Sequence, residues 1–354
     1  MFYFIFVTTA FYVFIISLLF TQVESKKIPY TLYLLPMLII LSIIIGSRTP
    51  GVDHDYQNYI SWLDEIGGDF GEIFKQGKDV GFILIYMFTS LFDDSYVLFF
   101  IIIAFLSLFF KLKFASLVFD GQYCLLIFLV ILSRFIIVHD FTQIRAGLAI
   151  AMASYGVLKL LNKSKILGCF IILLGVSVHL SAILLPLVYL AYITFANRKS
   201  FTTLLLALPV AGIFMGAFIK TVLPYLDSSR INVYLSGEYA TEHISLFSFY
   251  YLVRLVAFYG VMFFMYRKTS VHYRIYPFVA SISLFLNAAF SWNDSIALRL
   301  VEVLGFFDMA LLVLPLLYLE KNSKLIYFSV IGAVSVMFFV SSTKIVNDYI
   351  SYFF

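Results

Sequence analysis

Hydrophobic runs of bilayer-crossing length fill this chain, and six ionisable residues lie within or at the edges of them: Arg134, Arg145, His179, Arg254, Arg299 and Asp308. An α-helix needs about 20 apolar residues to cross a hydrocarbon core of about 30 Å. With no water in that core, the backbone must satisfy its own hydrogen bonds, so such runs read as helices. A charge placed there costs on the order of 2.5–3.5 kcal/mol on insertion scales. It persists where it lines a cavity or meets a partner. Several fixed cations in one helical bundle point to an anionic ligand handled at the membrane, a phosphate foremost.

The rest of the composition agrees. Of 354 residues, 62% are hydrophobic and 12% charged, against roughly 25% charged in soluble domains. The chain reads as an all-α polytopic integral membrane protein with a single membrane domain over 1–354. An aromatic share of 19%, with 41 Phe, suits lipid-facing helices and interfacial belts. No basic cluster of the kind that grips nucleic acid is present. Cys124 and Cys169 fall inside predicted spans, which argues against a disulfide framework or a zinc site. No metal and no cofactor are expected. The start, Met1-Phe2-Tyr3-Phe4, has no basic n-region and reads as a first membrane helix and not a cleaved signal.

About 12 transmembrane helices of roughly 15–25 residues are expected. Their approximate limits are 2–20, 30–46, 96–110, 122–138, 142–161, 165–178, 180–196, 200–220, 246–266, 275–292, 295–319 and 325–342. No Gly/Ser linker and no internal repeat divides them. Basic residues concentrate in 21–29, 111–121, 159–165, 197–199, 267–274 and 320–324, including Lys26, Lys27, Lys111, Lys113 and Lys159. The positive-inside rule places these loops in the cytoplasm. The other side receives 47–95, 139–145, a second outer loop at 221–245, and the tail after Ser342. Region 47–95 is acidic, with nine Asp/Glu against three Lys/Arg. Within it, 80–92 is apolar but short, and reads as an interfacial helix that does not span.

Three stretches carry residues suited to chemistry. In Ser47-Arg48-Thr49-Pro50-Gly51-Val52-Asp53-His54-Asp55-Tyr56, Pro-Gly forces a turn. Arg48 can grip an anion there, and Asp53 or Asp55 can accept a proton from a hydroxyl. A solvated loop with a snorkelling Arg48 fits the same residues. In His139-Asp140-Phe141-Thr142-Gln143-Ile144-Arg145, Gln143 and Arg145 open a helix whose N-terminal amides favour anions. Arg145 adds a fork that matches phosphate. His139 can act as base or donor, and Asp140 equally suits a helix cap. In Val178-His179-Leu180-Ser181-Ala182, the stretch 165–196 is too long for one span and must turn back at His179. There an imidazole can serve as a base near neutral pH, or simply bond a carbonyl at a helix break. Arg230 lies in the second outer loop, Arg254 lies deep in its span, and Arg299 has Glu302 one turn on. Asp308, mid-span, either pairs with an arginine or stays protonated.

Three strings together resemble the EpsG family of polysaccharide polymerases, relatives of the Wzy O-antigen polymerases. They are Arg48…Gly51-Val52-Asp53…Tyr56…Tyr59, then Gln143-Ile144-Arg145-Ala146-Gly147-Leu148-Ala149, then His179-Leu180-Ser181-Ala182-Ile183. The resemblance covers roughly 40–190. It departs where His54 and Asp55 interrupt the family's Gly-x-Asp-Tyr, so either Asp53 or Asp55 is the equivalent acid. His139-Asp140 has no counterpart in the family's strings.

The resemblance implies a fold similar to the membrane-embedded lipid-dependent glycosyltransferases (GT-C-like). It also implies a polymerase of lipid-linked oligosaccharide repeat units in a bacterial inner membrane, its active site facing the periplasm. The glycan on undecaprenyl pyrophosphate would pass to the non-reducing end of a new lipid-linked unit, with inversion. His179, Asp53, Asp55 and Arg145 are then the catalytic candidates. Arg48, Tyr56, Tyr59, His139, Gln143, Arg254 and Arg299 are the substrate-binding ones. Expected partners are the lipid-linked oligosaccharides, the bilayer and a separate chain-length regulator. A flippase or transporter of the same lipid, which usually shows related halves, and an O-antigen ligase are the rival readings. A membrane acyltransferase would use a histidine but not several arginines.

Overall fold

The computed structural model describes residues 1–19, 29–66, 79–92, 95–222, 246 and 248–353. Lys26, Lys27 and Arg230, the 67–78 part of the acidic loop and nearly all of the second outer loop lie outside the described residues. Among the described residues every regular element is helical, apart from an isolated antiparallel bridge between Arg48 and Ser351. The chain clusters into two compact units, one formed by 1–186 with 330–354 and the other by 187–329.

The first unit contains α1 (Phe2–Leu19), α2 (Tyr30–Gly46), α3 (Tyr56–Ile66), α4 (Val80–Thr89), α5 (Ser95–Leu117), α6 (Cys124–Phe135), a π-helical stretch (Ile136–Thr142), α7 (Ile144–Leu161) and α8 (Lys165–Val178). Helix α5 packs against α2 and α7, and α7 packs along α8. Buried alanines on α7, Ala149 and Ala153 among them, leave room for that close approach. Helix α9 (Leu184–Phe195) leads into the second unit, which holds α10 (Phe201–Val222), α11 (Phe249–Phe264), α12 (Ile275–Ala289) and α13 (Asp294–Val313). Helix α14 (Lys321–Ser342) returns to the first.

Among the described residues six helices are long and apolar enough to cross a membrane, and shorter apolar helices accompany them. This is the polytopic helical protein that the hydrophobic runs predict. Phe214 and Phe218 of α10 are exposed, as lipid contact allows. Helix α4 has ten residues, about 15 Å at 1.5 Å per residue, half of a hydrocarbon core.

Two expectations need correction. Residues 139–142 do not form a surface loop, because α6 continues without a break into the π-helical stretch and His139, Asp140 and Thr142 are all buried. Lys111, counted with the basic loops, lies inside α5 and is fully buried. Both have one physical reason. Lys111 Nζ donates to Asp140 Oδ2 at 2.5 Å, and Ser107 donates to Asp140 Oδ1 at 2.6 Å. Each charge neutralises the other where water is absent.

Candidate functional site

The π-helical stretch ends where the Gln-Ile-Arg-Ala-Gly string begins. Gln143 N–H reaches back five residues to the Val138 carbonyl at 2.8 Å, and the Gln143 carbonyl accepts from Gly147 at 2.8 Å. Gln143 is therefore the hinge between two winding modes, and Arg145 sits in the first turn beyond it. Such widened turns are frequent at functional sites. Gly147 is required by close approach: a Cβ there would stand 2.6 Å from the His139 Cβ and carbonyl oxygen. His139 is fully buried, its ring stacked on Phe135 at 4.6 Å. Asp140, engaged with Lys111, caps no helix.

Arg145 extends from α7 into a box of aromatic rings. Its guanidinium lies 4.9 Å from the Trp62 ring centre, 5.3 Å from Tyr59 and 6.0 Å from Phe82. Such contacts hold a guanidinium without neutralising it. Burial pushes the Tyr59 hydroxyl up to about 12 even though Arg145 beside it pulls the other way. Arg145 Nη1 donates to Asp79 Oδ2 at 2.6 Å, and the other oxygen of Asp79 meets His179 Nδ1 at 3.0 Å. An ionised carboxylate only accepts, so Nδ1 carries the proton and Nε2 faces away from Asp79. The Asp79 side chain is 6% exposed, against 29% for Arg145 and 31% for His179. The acid thus lies beneath, with the arginine and the imidazole on the accessible side. Burial pushes the Asp79 carboxyl up, but His179 and Arg145 outweigh it and hold the group below the usual carboxylate range.

Local sequence explains this meeting. His179 is extended (φ −159°, ψ 130°) between α8 and a 3-10 turn over Leu180–Ile183, the turn that the length of 165–196 predicts. Gly81 lets α4 start directly against this break, since a Cβ there would fall 2.5 Å from Ser177 Oγ. Asp79 opens α4 with its carbonyl, which accepts from Phe82 and Ile83. Its side chain makes no cap. It adopts φ 53° and ψ 35°, a left-handed conformation that Asp tolerates better than most residues.

Asp79 is not among the residues that the sequence singles out. Its signal was an acid immediately before an apolar helix, which ordinarily means an N-cap.

The loop after α2 forms an adjoining cluster. Arg48 is fully buried, donating from Nε to Asp53 Oδ2 at 2.6 Å, from Nη1 to the Ile45 carbonyl at 3.0 Å and from Nη2 to the Phe141 carbonyl at 2.7 Å. Phe100 and Tyr56 flank it at 4.8 and 5.2 Å. Asp53 Oδ1 accepts the Asp55 N–H at 2.9 Å. His54 is exposed and Asp55 half-buried. The Asp55 carbonyl takes the Tyr59 N–H at 3.0 Å, which links this loop to α3, whose Tyr59 and Trp62 flank Arg145.

The second unit answers the question of Asp308. Arg254 Nε donates to Asp308 Oδ2 at 2.9 Å, and Ser283 donates to the same oxygen at 2.8 Å. Arg254 also donates to Ser283 Oγ and lies 4.8 Å from the Tyr250 ring. Both ends of the pair are buried. Arg299 is an exposed residue of α13, and Glu302 on the same helix is buried.

Among the described residues no cluster of His, Cys, Asp or Glu has the spacing of a metal site. No curated protein and no solved structure matches the chain. The family model for EpsG matches residues 31–354, a span that takes in the Arg48 loop, Asp79, Arg145 and His179. On that match the chain belongs to the EpsG family, the family of Wzy-type polymerase-like proteins.

Proposed function

We propose that this protein polymerises lipid-linked oligosaccharide repeat units as a membrane glycosyltransferase. The donor is a glycan on undecaprenyl pyrophosphate and the acceptor is the non-reducing end of a second lipid-linked unit. The observation that carries the reading is Asp79 joined to both Arg145 and His179. One carboxylate there orients a base and anchors a cation whose remaining N–H groups can take phosphate oxygens.

In this reading His179 Nε2 takes the proton from the acceptor hydroxyl. That hydroxyl oxygen bonds to the anomeric carbon as the bond to pyrophosphate breaks, and a single displacement inverts the carbon. Arg145 meets the charge that develops on the leaving group, the role in which a preorganised cation is most effective. Asp79 keeps the proton on Nδ1 and fixes the ring. Arg48 and Asp53, each already engaged and buried, serve as framework. Asp55, less buried, is the acid of that loop left near the substrate. Arg254 ties helices of the second unit. Arg299, exposed on α13, stays a candidate contact to substrate. About twelve spans in a GT-C-like arrangement, in a bacterial inner membrane with the Arg145 cluster toward the periplasm, complete the proposal. A separate chain-length regulator is its expected partner.

The test is glycan length on a gel from cells lacking the gene. Single repeat units on lipid with no ladder support a polymerase. Loss of surface glycan with the lipid-linked unit retained inside indicates a flippase. Polymer that forms on lipid but never reaches its final acceptor indicates a ligase. An unchanged ladder overturns the reading.

A further inference from the structure

The segment after α14 contains none of the charged side chains discussed above, yet it is laced to the Arg48 loop along its length. Asn347 N–H donates to the Val52 carbonyl at 2.9 Å, and its side-chain Nδ2 to the Gly51 carbonyl at 2.8 Å. Thr49 N–H donates to the Ile350 carbonyl at 3.0 Å, and Tyr352 N–H to the Ser47 carbonyl at 2.8 Å. The Ser47 and Ser351 hydroxyls lie 3.0 Å apart. Tyr349 donates its hydroxyl to the Ile44 carbonyl at 2.6 Å, and its ring packs 6.3 Å from that of Phe141. The Tyr352 side chain also lies beside that of Tyr56 at the start of α3.

We propose that residues 347–352 are a strap that sets the position of Arg145, with Asn347 and Tyr352 as its positioning residues. The route is continuous. The strap fixes 47–52, and Arg48 in that loop holds the Phe141 carbonyl. Phe141 lies in the π-helical stretch that ends at Thr142, three residues before Arg145. In parallel, Tyr56 begins the helix whose Tyr59 and Trp62 flank the Arg145 guanidinium. Neither positioning residue touches the Asp79 cluster. Displacement of a reacting group by about 1 Å can cost on the order of a hundredfold in rate, so a tail remote from the chemistry can control it.

The inference rests on Arg145 being the anion-binding residue of the proposed reaction. The experiment uses full-length protein in native membranes. Asn347→Pro with Tyr352→Pro removes the two backbone N–H donors from the tail to the loop, and with them the Asn347 side-chain donor. Polymer formation should fall on the order of tenfold or more, with KM for the lipid-linked unit little changed. Ser47→Cys with Ser351→Cys, in a chain also carrying Cys169→Ser, then supplies a covalent replacement for the strap. Oxidation should restore polymer length to the proline variant, and reduction should remove it again.

A proline variant with a normal ladder overturns the proposal. So does a loss that the oxidised cross-link does not repair. Should the double variant not accumulate, Asn347→Ala alone removes one hydrogen bond from an exposed residue and carries the same test. Arg145→Ala separates the two claims. If that variant still polymerises, the functional reading fails; if it is inactive beside a fully active strap variant, only the strap fails.

Discussion

Asp79 and Arg145 are 66 residues apart in sequence and 2.6 Å apart in the fold. The contact takes Nη1, and 29% of the Arg145 side chain is exposed. Trp62 and Tyr59 restrict the swing of the guanidinium. An arginine held this way is ready for phosphate before phosphate arrives, and preorganisation of that kind makes electrostatic stabilisation effective.

Arg145→Lys keeps the charge and loses the fork. An ammonium is a compact point charge without the planar, bidentate geometry that the aromatic box is shaped to hold. The ladder should shorten strongly in Arg145→Lys and vanish in Arg145→Ala, with both proteins present in the membrane at normal amounts. A full ladder from Arg145→Lys would mean that charge alone suffices.

Asp79→Asn should lower polymerisation by about 10²–10⁴-fold, the range of a positioned acid–base group, because the amide has one accepting oxygen and no charge and so does not hold both His179 Nδ1–H and the guanidinium. It should also cost about 1.5–3 kcal/mol of stability at neutral pH for its charged hydrogen bonds. The folded carboxyl titrates below its ordinary value of about 3.9. Its contribution is therefore complete above that pH and is lost as pH falls through the lower, folded value. Thermal melts of the purified protein should differ between wild type and Asp79→Asn at pH 7 and converge below about pH 4. Divergence that grows on acidification would contradict the sign.

Arg48 and Asp53 should behave differently from the Asp79 cluster. Both are buried and bonded to each other, so removing one strands the other charge at about 3–5 kcal/mol. Arg48→Met or Asp53→Leu should each deplete folded protein. The double variant should recover part of that loss, measured as a coupling energy in a melting cycle. Additive losses would show that the pair is not the tie.

Gly147→Val places atoms where the His139 carbonyl already stands. The π-helical stretch must shift, and Arg145 with it. Polymer length should collapse while the protein still inserts, as read by the ladder and by membrane abundance. Normal polymer would show that the Gly147–His139 contact tolerates separation without moving Arg145.

What the residues announced and what they concealed divide by range. The turn at His179 followed from length alone, and Arg145 in the opening turn of α7 followed from the Gln-Ile-Arg string, because both are local. Pairings were hidden. Nothing near Lys111 in sequence shows that Asp140 will neutralise it, so a basic residue near a span end reads as part of a loop. Asp308 and Arg254 met as one of the two alternatives allowed for a mid-span acid. Asp79 does not stand out in sequence because an acid before an apolar helix has an ordinary local explanation, and its actual partners come from α7 and the end of α8. The tail contacts end chiefly on backbone carbonyls, which leave little trace in composition.

The Lys111–Asp140 pair also bears on biogenesis. While α5 is alone in the bilayer, Lys111 has no counter-charge, and lysine mid-helix costs about 2.5–3.5 kcal/mol there. Asp140 arrives only with the next membrane crossing, as the continuation of α6. These two helices should therefore enter lipid as a hairpin and not one after the other. In a translocon insertion assay, α5 by itself should integrate less completely than α5 joined to α6 and the Asp140 stretch, and Asp140→Leu should remove that advantage. Here the ion pair decides the order in which the chain is delivered to the membrane, before any fold exists for it to stabilise.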